Sequence, residues 1–468
     1  MRSLYSSVKH FFQYFVIALK GTEKEFTSGS IRKAIFLLSV PMIAEMIMES
    51  LFAVVDVFFV AKVGVNAVAT VGLTESILFI IYSVAVGLSM ALTAIVARRI
   101  GEKDPERAGN AAFQGILISL GIAAILGITG FFGAEQILRL MGGKEDLIAE
   151  GVGYTKIMFA GNLSIVLLFV INAIFRGAGD ASIAMRSLWL ANGLNIVLDP
   201  LLIFGIGSFE GFGVMGAAIA TTTGRSIGVL YQLWHLFNGS SMIKLGWKNV
   251  VIRVKTIMEI FKVSIGGMGQ FLIESASWIF LVRVISVFGS EALAGYTIAF
   301  RVIVFTILPS WGMANAAATL VGQNLGAKQP GRAEESVWKT AFYSMIFLGL
   351  VATVFFIFAD PIISFFSQET NVKQIASEAL KIICFGYLFF AYGMVISQAF
   401  NGAGDTRTPM VINVFVFWMF QIPFAYLMSV TFNFQETGVF LSIAIAHSVH
   451  ALACIFLFRK GKWKTIEV

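Results

Sequence analysis

Residues 42–62 read MIAEMIMESLFAVVDVFFVAK, an apolar run that carries three carboxylates, Glu45, Glu49 and Asp56. About twenty apolar residues are what a helix needs to cross a hydrocarbon core of about 30 Å. Runs of that length recur at 34–61, 71–97, 110–133, 151–175, 184–206, 214–238, 257–287, 297–321, 337–360, 376–400, 409–431 and 437–458. Outer-membrane strands would instead show about ten alternating residues each. The 468 residues are therefore predicted to form an all-α polytopic membrane protein of twelve transmembrane helices. Composition agrees: 57% of residues are hydrophobic and only 13% charged, with a mean hydropathy of +0.84 that excludes an ordinary soluble domain.

Net charge is +7, from 34 basic and 27 acidic residues. Where the basic residues fall matters more than their sum. With the N-terminus inside, cytoplasmic segments hold Lys9, Lys20, Arg32, Arg98, Arg99, Arg107, Lys244, Lys248, Arg253, Arg332, Arg459 and Lys464 among others. The opposite loops hold only Lys62, Arg139, Lys144 and Lys373. This asymmetry predicts that both termini are cytoplasmic, in the cell inner membrane, and makes the positive charge a report of topology rather than of a nucleic-acid partner. Cys384 and Cys454 both fall in predicted helices, so no disulfide framework is expected. The first twenty residues are too short in their apolar part to span and are expected to rest on the inner leaflet as an interfacial helix or to form an ordered or frayed tail; no signal-peptide cleavage site is read.

The chain repeats itself at an offset of 225. GLSMALTAIVARRIGEKDPERAG at 87–109 faces GMANAAATLVGQNLGAKQPGRAE at 312–334, and FRGAGDASIAM at 175–185 faces FNGAGDTRTPM at 400–410. Glu49 and Glu274 obey the same register, as do Gly101 and Gly326. Six spans per half mean that both halves enter the membrane in the same direction, the arrangement of transporters that rock about a site between their halves. The expected organisation is a segment 1–33, an N-lobe 34–238, a cytoplasmic linker 239–256, a C-lobe 257–458 and a tail 459–468.

Acids within spans are costly, by at least ~2.5 kcal/mol each even on lenient scales, and turn toward the bundle interior. Glu45, Glu49 and Asp56, spaced 4 and 7 apart, share one face of helix one. In helix five NGLNIVLDP places Asn192, Asn195 and Asp199 on one face as well. Counted from the outer ends, Asp56, Asp199 and Thr221 lie within a turn or so of the same depth. Two carboxylates, an amide and a hydroxyl at one level suit a proton, shared because close carboxylates in low dielectric cannot both stay ionised cheaply, or Na⁺ held by oxygen ligands. The second half is chemically unequal: Glu274 matches Glu49, but Leu281 stands opposite Asp56 and Phe424 opposite Asp199. Arg225, Arg283 and Arg301 are candidate counter-ions, the last two placed to snorkel.

Two other patterns are read as structural. GAGD at 177–180 and 402–405 resembles the signature of intramembrane aspartyl proteases, but both copies lie at cytoplasmic helix ends, where Gly turns the chain and Asp180 or Asp405 caps the next helix. His447 and His450 are three apart, as a metal pair would be, and are read as a satisfied helix-end pair without a nearby acid or Cys.

Twelve spans in two six-helix repeats, SVPM opening helix one, VVDVFFVAKVG around Asp56, the two GAGD copies, LNIVLDP in helix five and GAAIAT in helix six resemble the multidrug and toxic compound extrusion (MATE) family, most of all its DinF-like branch. The resemblance covers nearly the whole chain. It implies an antiporter without cofactor that exports cationic or amphipathic drugs or metabolites against inward H⁺ or Na⁺, with an N-lobe site at the positions of Asp56, Asn195, Asp199 and Thr221. It also implies a role for Glu274, which matches the helix-seven glutamate of the NorM-like branch; that branch adds a helix-ten acid, where this chain has only Glu378 near the outer end. Glu45, Glu49 and Asn192 are expected to contact substrate or relay protons, and a monomer in the bilayer is expected. A flippase for lipid or lipid-linked sugar is the alternative, and an intramembrane enzyme a remoter one; neither a cationic pyrophosphate site nor a catalytic ligand set is visible.

Overall fold

The computed structural model describes residues 13–21, 26–239 and 241–468. A short helix α1 (13–20) exposes Tyr14, Phe15 and Val16 while burying Ala18, as a segment lying along a leaflet would; residues 1–12 of the expected interfacial segment lie outside the described residues. The first half then builds α2 (Ile31–Ala61), α3 (Val65–Gly101), α4 (Pro105–Phe132), a short α5 (Ala134–Leu140), α6 (Glu145–Ala160) with α7 (Asn162–Ala178), α8 (Ala181–Phe204) and α9 (Val214–Asn238). A two-stranded hairpin, β1 (Gly205–Ile206) with β2 (Phe209–Glu210), joins the last two. The second half repeats the series as α10 (Val254–Ile285), α11 (Ser290–Gly326), α12 (Pro330–Ser364), α13 (Thr370–Phe385) with α14 (Tyr387–Gly402), α15 (Arg407–Thr431) and α16 (Gln435–Arg459).

Among the described residues nine helical segments are long and apolar enough to span a bilayer, and α13 with α14 make a tenth bent by 58°. With α2 and α9, the helices that carry Asp56 and Thr221, these complete two sets of six. The chain is an all-α polytopic membrane protein of two parallel repeats. Helix ten differs from its expected single run: the chain breaks at Gly386, where a Cβ would stand 3.2 Å from Ala444 backbone. Helix α15 differs too, with π-helical turns at Val414–Gln421 and Leu427–Thr431 flanking Pro423, which lacks the N–H an α-turn needs.

Most of the apolar core lies within one half or the other, one cluster built on Leu88, Ile171 and Ala217 and others on Leu281, Leu380 and Val337, while a further cluster packs Ile35 and Leu38 of α2 against Ala316 and Leu320 of α11 and so joins the halves. Between the halves, the closest approaches crowd toward the ends of α3 and α11 that carry Arg98 and Arg99. A Cβ on Gly101 would stand 2.0 Å from the carbonyl oxygen of Gln323, and one on Gly326 2.1 Å from that of Arg98. Both members of each contact are related by the offset of 225, so one backbone-to-backbone contact is made twice about a pseudo-twofold axis. Thr319 Oγ1 and Gln323 Nε2 donate across the same seam to the carbonyls of Arg176 at 3.1 Å and Gly177 at 3.0 Å, and Arg98 Nη2 donates to Ala403 at 3.4 Å and Ile466 at 2.8 Å. Only residues without a Cβ at 101 and 326 let the two backbones meet.

The two GAGD aspartates part company here. Asp405 accepts from Thr408 N at 3.1 Å, as expected of a helix start. Asp180 makes no cap bond to α8; its carboxylate accepts from Met242 N at 2.8 Å and from the Ser241 hydroxyl, because the linker folds back over it. Asp180→Ala is expected to cost ~1–3 kcal/mol locally and to raise protease cleavage within 239–256 several-fold, measured by limited digestion of the purified protein.

Candidate functional site

Three helices of the first half converge on the predicted residues. Asn195 of α8 donates from Nδ2 to Asp199 Oδ1 at 3.3 Å, one turn along the same helix, and to Thr221 Oγ1 of α9 at 3.0 Å. Asp56 of α2 is 9% exposed, Asp199 is fully buried, and the two carboxylates interact electrostatically. Among the described residues no hydrogen bond ends on Asp56. Asn195 Oδ1 and Asp199 Oδ2 are buried oxygens without a partner among the described residues. Leaving two such acceptors unmatched is costly, and a proton or a small hard cation is what satisfies oxygens of this kind.

Closer to the Gly101–Gly326 seam the same helices form a second layer. Glu49 of α2 accepts from Asn192 Nδ2 at 2.8 Å and faces Arg225 Nη2 of α9 at 3.5 Å. One turn further, Glu45 accepts from Asn172 Nδ2 at 3.1 Å and from Arg176 Nη1 at 2.8 Å. Glu45 and Glu49 line a cavity of about 250 Å³ with Tyr82 and Asn172 of the first half and Phe271 and Trp311 of the second. The cavity therefore sits between the halves, on the far side of the Gly101–Gly326 seam from the linker and tail.

The second half makes weaker chemistry of the same plan. At the repeat positions of Glu45 and Arg176 stand Gln270 and Asn401, and the ion pair is replaced by reciprocal amide bonds of 2.9 and 3.2 Å. Glu274 lines a cavity of about 260 Å³ with Trp278, Phe300, His447 and His450, and no other carboxylate shares it. Glu378 lies elsewhere, accepting from Thr437 Oγ1 at 2.7 Å. The structure thus brings Asp56, Asn195, Asp199 and Thr221 together, places Glu45, Glu49 and Asn192 beside them, and leaves Glu274 apart.

The histidine reading needs correction. His447 and His450 lie in the middle of α16 and are buried in the cavity wall that also holds Glu274, rather than at a helix end. His450 Nε2 pairs with Asn413 Oδ1 at 3.1 Å, and Cys454 Sγ lies 3.7 Å from the same nitrogen, so a Cys is near after all. No group of three His, Cys, Asp or Glu among the described residues is placed to hold a metal.

One residue escaped the sequence reading. Glu75 of α3 acts electrostatically on Asp56 and on Arg225. The depth argument applied to Asp56 would have found it, because Glu75 enters the run 71–97 only four residues from its outer end.

Comparison with known proteins adds kinship to this geometry. A family model described as MatE matches residues 41–201 and 268–427, one segment in each half. The chain is 25% identical over 436 residues to a protein of Thermotoga maritima described as probable multidrug resistance protein NorM, covering 93% of each. It is 24% identical over 437 residues to the multidrug export protein MepA of Staphylococcus aureus, covering 92% of this chain and 94% of that one. Among solved structures, a MATE in complex with MaL6 matches with a TM-score of 0.90 at 27% identity, over 95% of this chain and 100% of the other. A MOP superfamily transporter from Pyrococcus furiosus, described as having a binding pocket of reverse polarity that suggests a different function, matches with a TM-score of 0.87 at 27% identity, over 95% and 99%.

Proposed function

Because this chain belongs to the MatE family, whose members are membrane transporters and not enzymes, we propose that it is a secondary antiporter that expels cationic or amphipathic organic compounds in exchange for inward H⁺ or Na⁺. The two orphaned oxygens of Asn195 and Asp199, set beside the carboxylate of Asp56, carry this reading: they are the place where a coupling cation is held. The cavity at Glu45 and Glu49 is where the exported compound binds. Coupling is energetically adequate, since one charge moving through 100 mV supplies ~2.3 kcal/mol.

The two halves then alternate by rocking about the cavity, and the seal at Gly101 and Gly326 closes the cytoplasmic side, so the conformation described here faces outward. Both termini are cytoplasmic on this reading, and the protein works as a monomer in the cell membrane. Efflux of a fluorescent lipophilic cation from proteoliposomes tests it. Efflux is expected under an imposed pH gradient, an imposed Na⁺ gradient, or both, and absence of efflux under both gradients would remove the antiporter reading.

A further inference from the structure

Three helices each serve both layers of the first half. Helix α2 gives Asp56 to the outer layer and Glu49, two turns nearer the seal; α8 gives Asn195 and Asp199, then Asn192; α9 gives Thr221 and, one turn on, Arg225. Arg225 is the group that belongs to neither layer alone. It is 3% exposed, its ion pair to Glu49 is 3.5 Å long, and its Nε and Nη1 groups have no partner among the described residues. Hydrogen-bonded guanidinium–carboxylate pairs close to about 2.7–2.9 Å, as Arg176 and Glu45 do at 2.8 Å. Arg225 is therefore held loosely, with two donors unspent. The charged and titratable groups that act on it are Glu49, Asp56, Glu75 and Tyr82, and its guanidinium lies 5.6 Å from the ring of Phe52, which sits between Glu49 and Asp56 on α2.

We propose that Arg225 is a positioning residue that couples the two layers: a movable counter-ion that rests on Glu49 while a cation occupies the Asp56–Asp199 layer, and turns toward Asp56 and Glu75 when that layer is vacated. The inference rests on the antiporter reading of the two layers. With the cation gone, the uncompensated carboxylates of the outer layer attract the guanidinium, and Glu49 is released. Asn192 keeps Glu49 in place throughout, so the freed carboxylate faces the cavity ready for the positive end of a transported compound. Re-entry of the cation sends Arg225 back, and the compound loses its counter-charge. Two ligands that never touch thus exclude one another, the coupling sign an exchanger requires. In the second half Leu281 stands opposite Asp56 and His450 opposite Arg225, so the outer carboxylate that would draw the counter-ion away is missing and the device belongs to the first half.

Equilibrium binding of tetraphenylphosphonium to the full chain in detergent, with no gradient, tests this at acid and alkaline pH and with and without Na⁺. Wild-type affinity is expected to fall at least ~10-fold when the coupling cation is supplied, within the usual range of coupling between sites. Arg225→Met is expected to bind the probe with less than about twofold dependence on either cation, and Arg225→Lys to recover part of it. Should Arg225→Met fold poorly, Glu49→Gln breaks the same exchange from the other side and is expected to bind weakly with no cation dependence. Arg225→Met or Glu49→Gln showing the wild-type dependence would overturn the proposal; a wild-type protein whose binding ignores both cations would overturn the antiporter reading beneath it.

Discussion

Asp56→Asn and Asp199→Asn are each expected to bring gradient-driven efflux down to the level of empty vesicles while leaving the yield of folded protein unchanged. Asparagine keeps the size of the side chain and an oxygen acceptor, so Asn195 retains a partner at the position where it now donates at 3.3 Å to Asp199. What is lost is the negative charge that holds the coupling cation. Folding does not depend on that charge, since a buried carboxylate is paid for rather than favoured by the apolar surroundings. Without coupling, the ~2.3 kcal/mol per charge per 100 mV no longer reaches the substrate, a difference of about fifty-fold in the gradient that transport can sustain. Efflux measured in vesicles, alongside size-exclusion profiles of both variants, checks the two halves of this expectation. Active transport by both variants would remove the paired carboxylates from the mechanism.

Gly101→Leu and Gly326→Leu are expected to cut transport at least tenfold by a different route. The Cβ of each new side chain would meet backbone, at 2.0 Å from Gln323 O and 2.1 Å from Arg98 O, and neither neighbour has a flexible end that can swing aside. Most of the buried core lies within one half or the other, away from this contact, so the variants are expected to fold, but the seal between α3 and α11 cannot close. A cysteine placed at Asn315, a residue of the central cavity, reports the consequence: labelling by a membrane-impermeant maleimide from the cytoplasmic side rises several-fold in either leucine variant. The native Cys384 and Cys454 are buried and free, so they contribute little background. Unchanged labelling and transport would mean that the seal is not a moving part.

Much of the fold was legible because a bilayer enforces length and polarity together. The run 214–238 coincides with α9, Val214–Asn238, end for end. The expected span 71–97 grew to Val65–Gly101 because helices continue into the headgroup region, where hydropathy no longer tracks helicity. The break at Gly386 was invisible because a bent pair of helices is as apolar as a straight one. Depth counting could gather Asp56, Asp199 and Thr221, since it uses only rise per residue. It could not choose partners: that Arg225 faces Glu49 while Arg176 faces Glu45 depends on how α7 and α9 rotate against α2, which periodicity in one helix does not fix. The histidine pair was misplaced for want of the same counting, since residues 447 and 450 sit at least eight positions from either end of the predicted run 437–458.

Direct release of the coupling cation is the sharpest measurement. Adding a lipophilic cation to the purified protein in weakly buffered detergent solution, with a pH indicator and a Na⁺-selective electrode in the cell, should liberate H⁺ or Na⁺ in proportion to the compound bound, and Asp199→Asn should liberate none. Binding without release in the wild-type protein, or equal release from Asp199→Asn, would contradict the account.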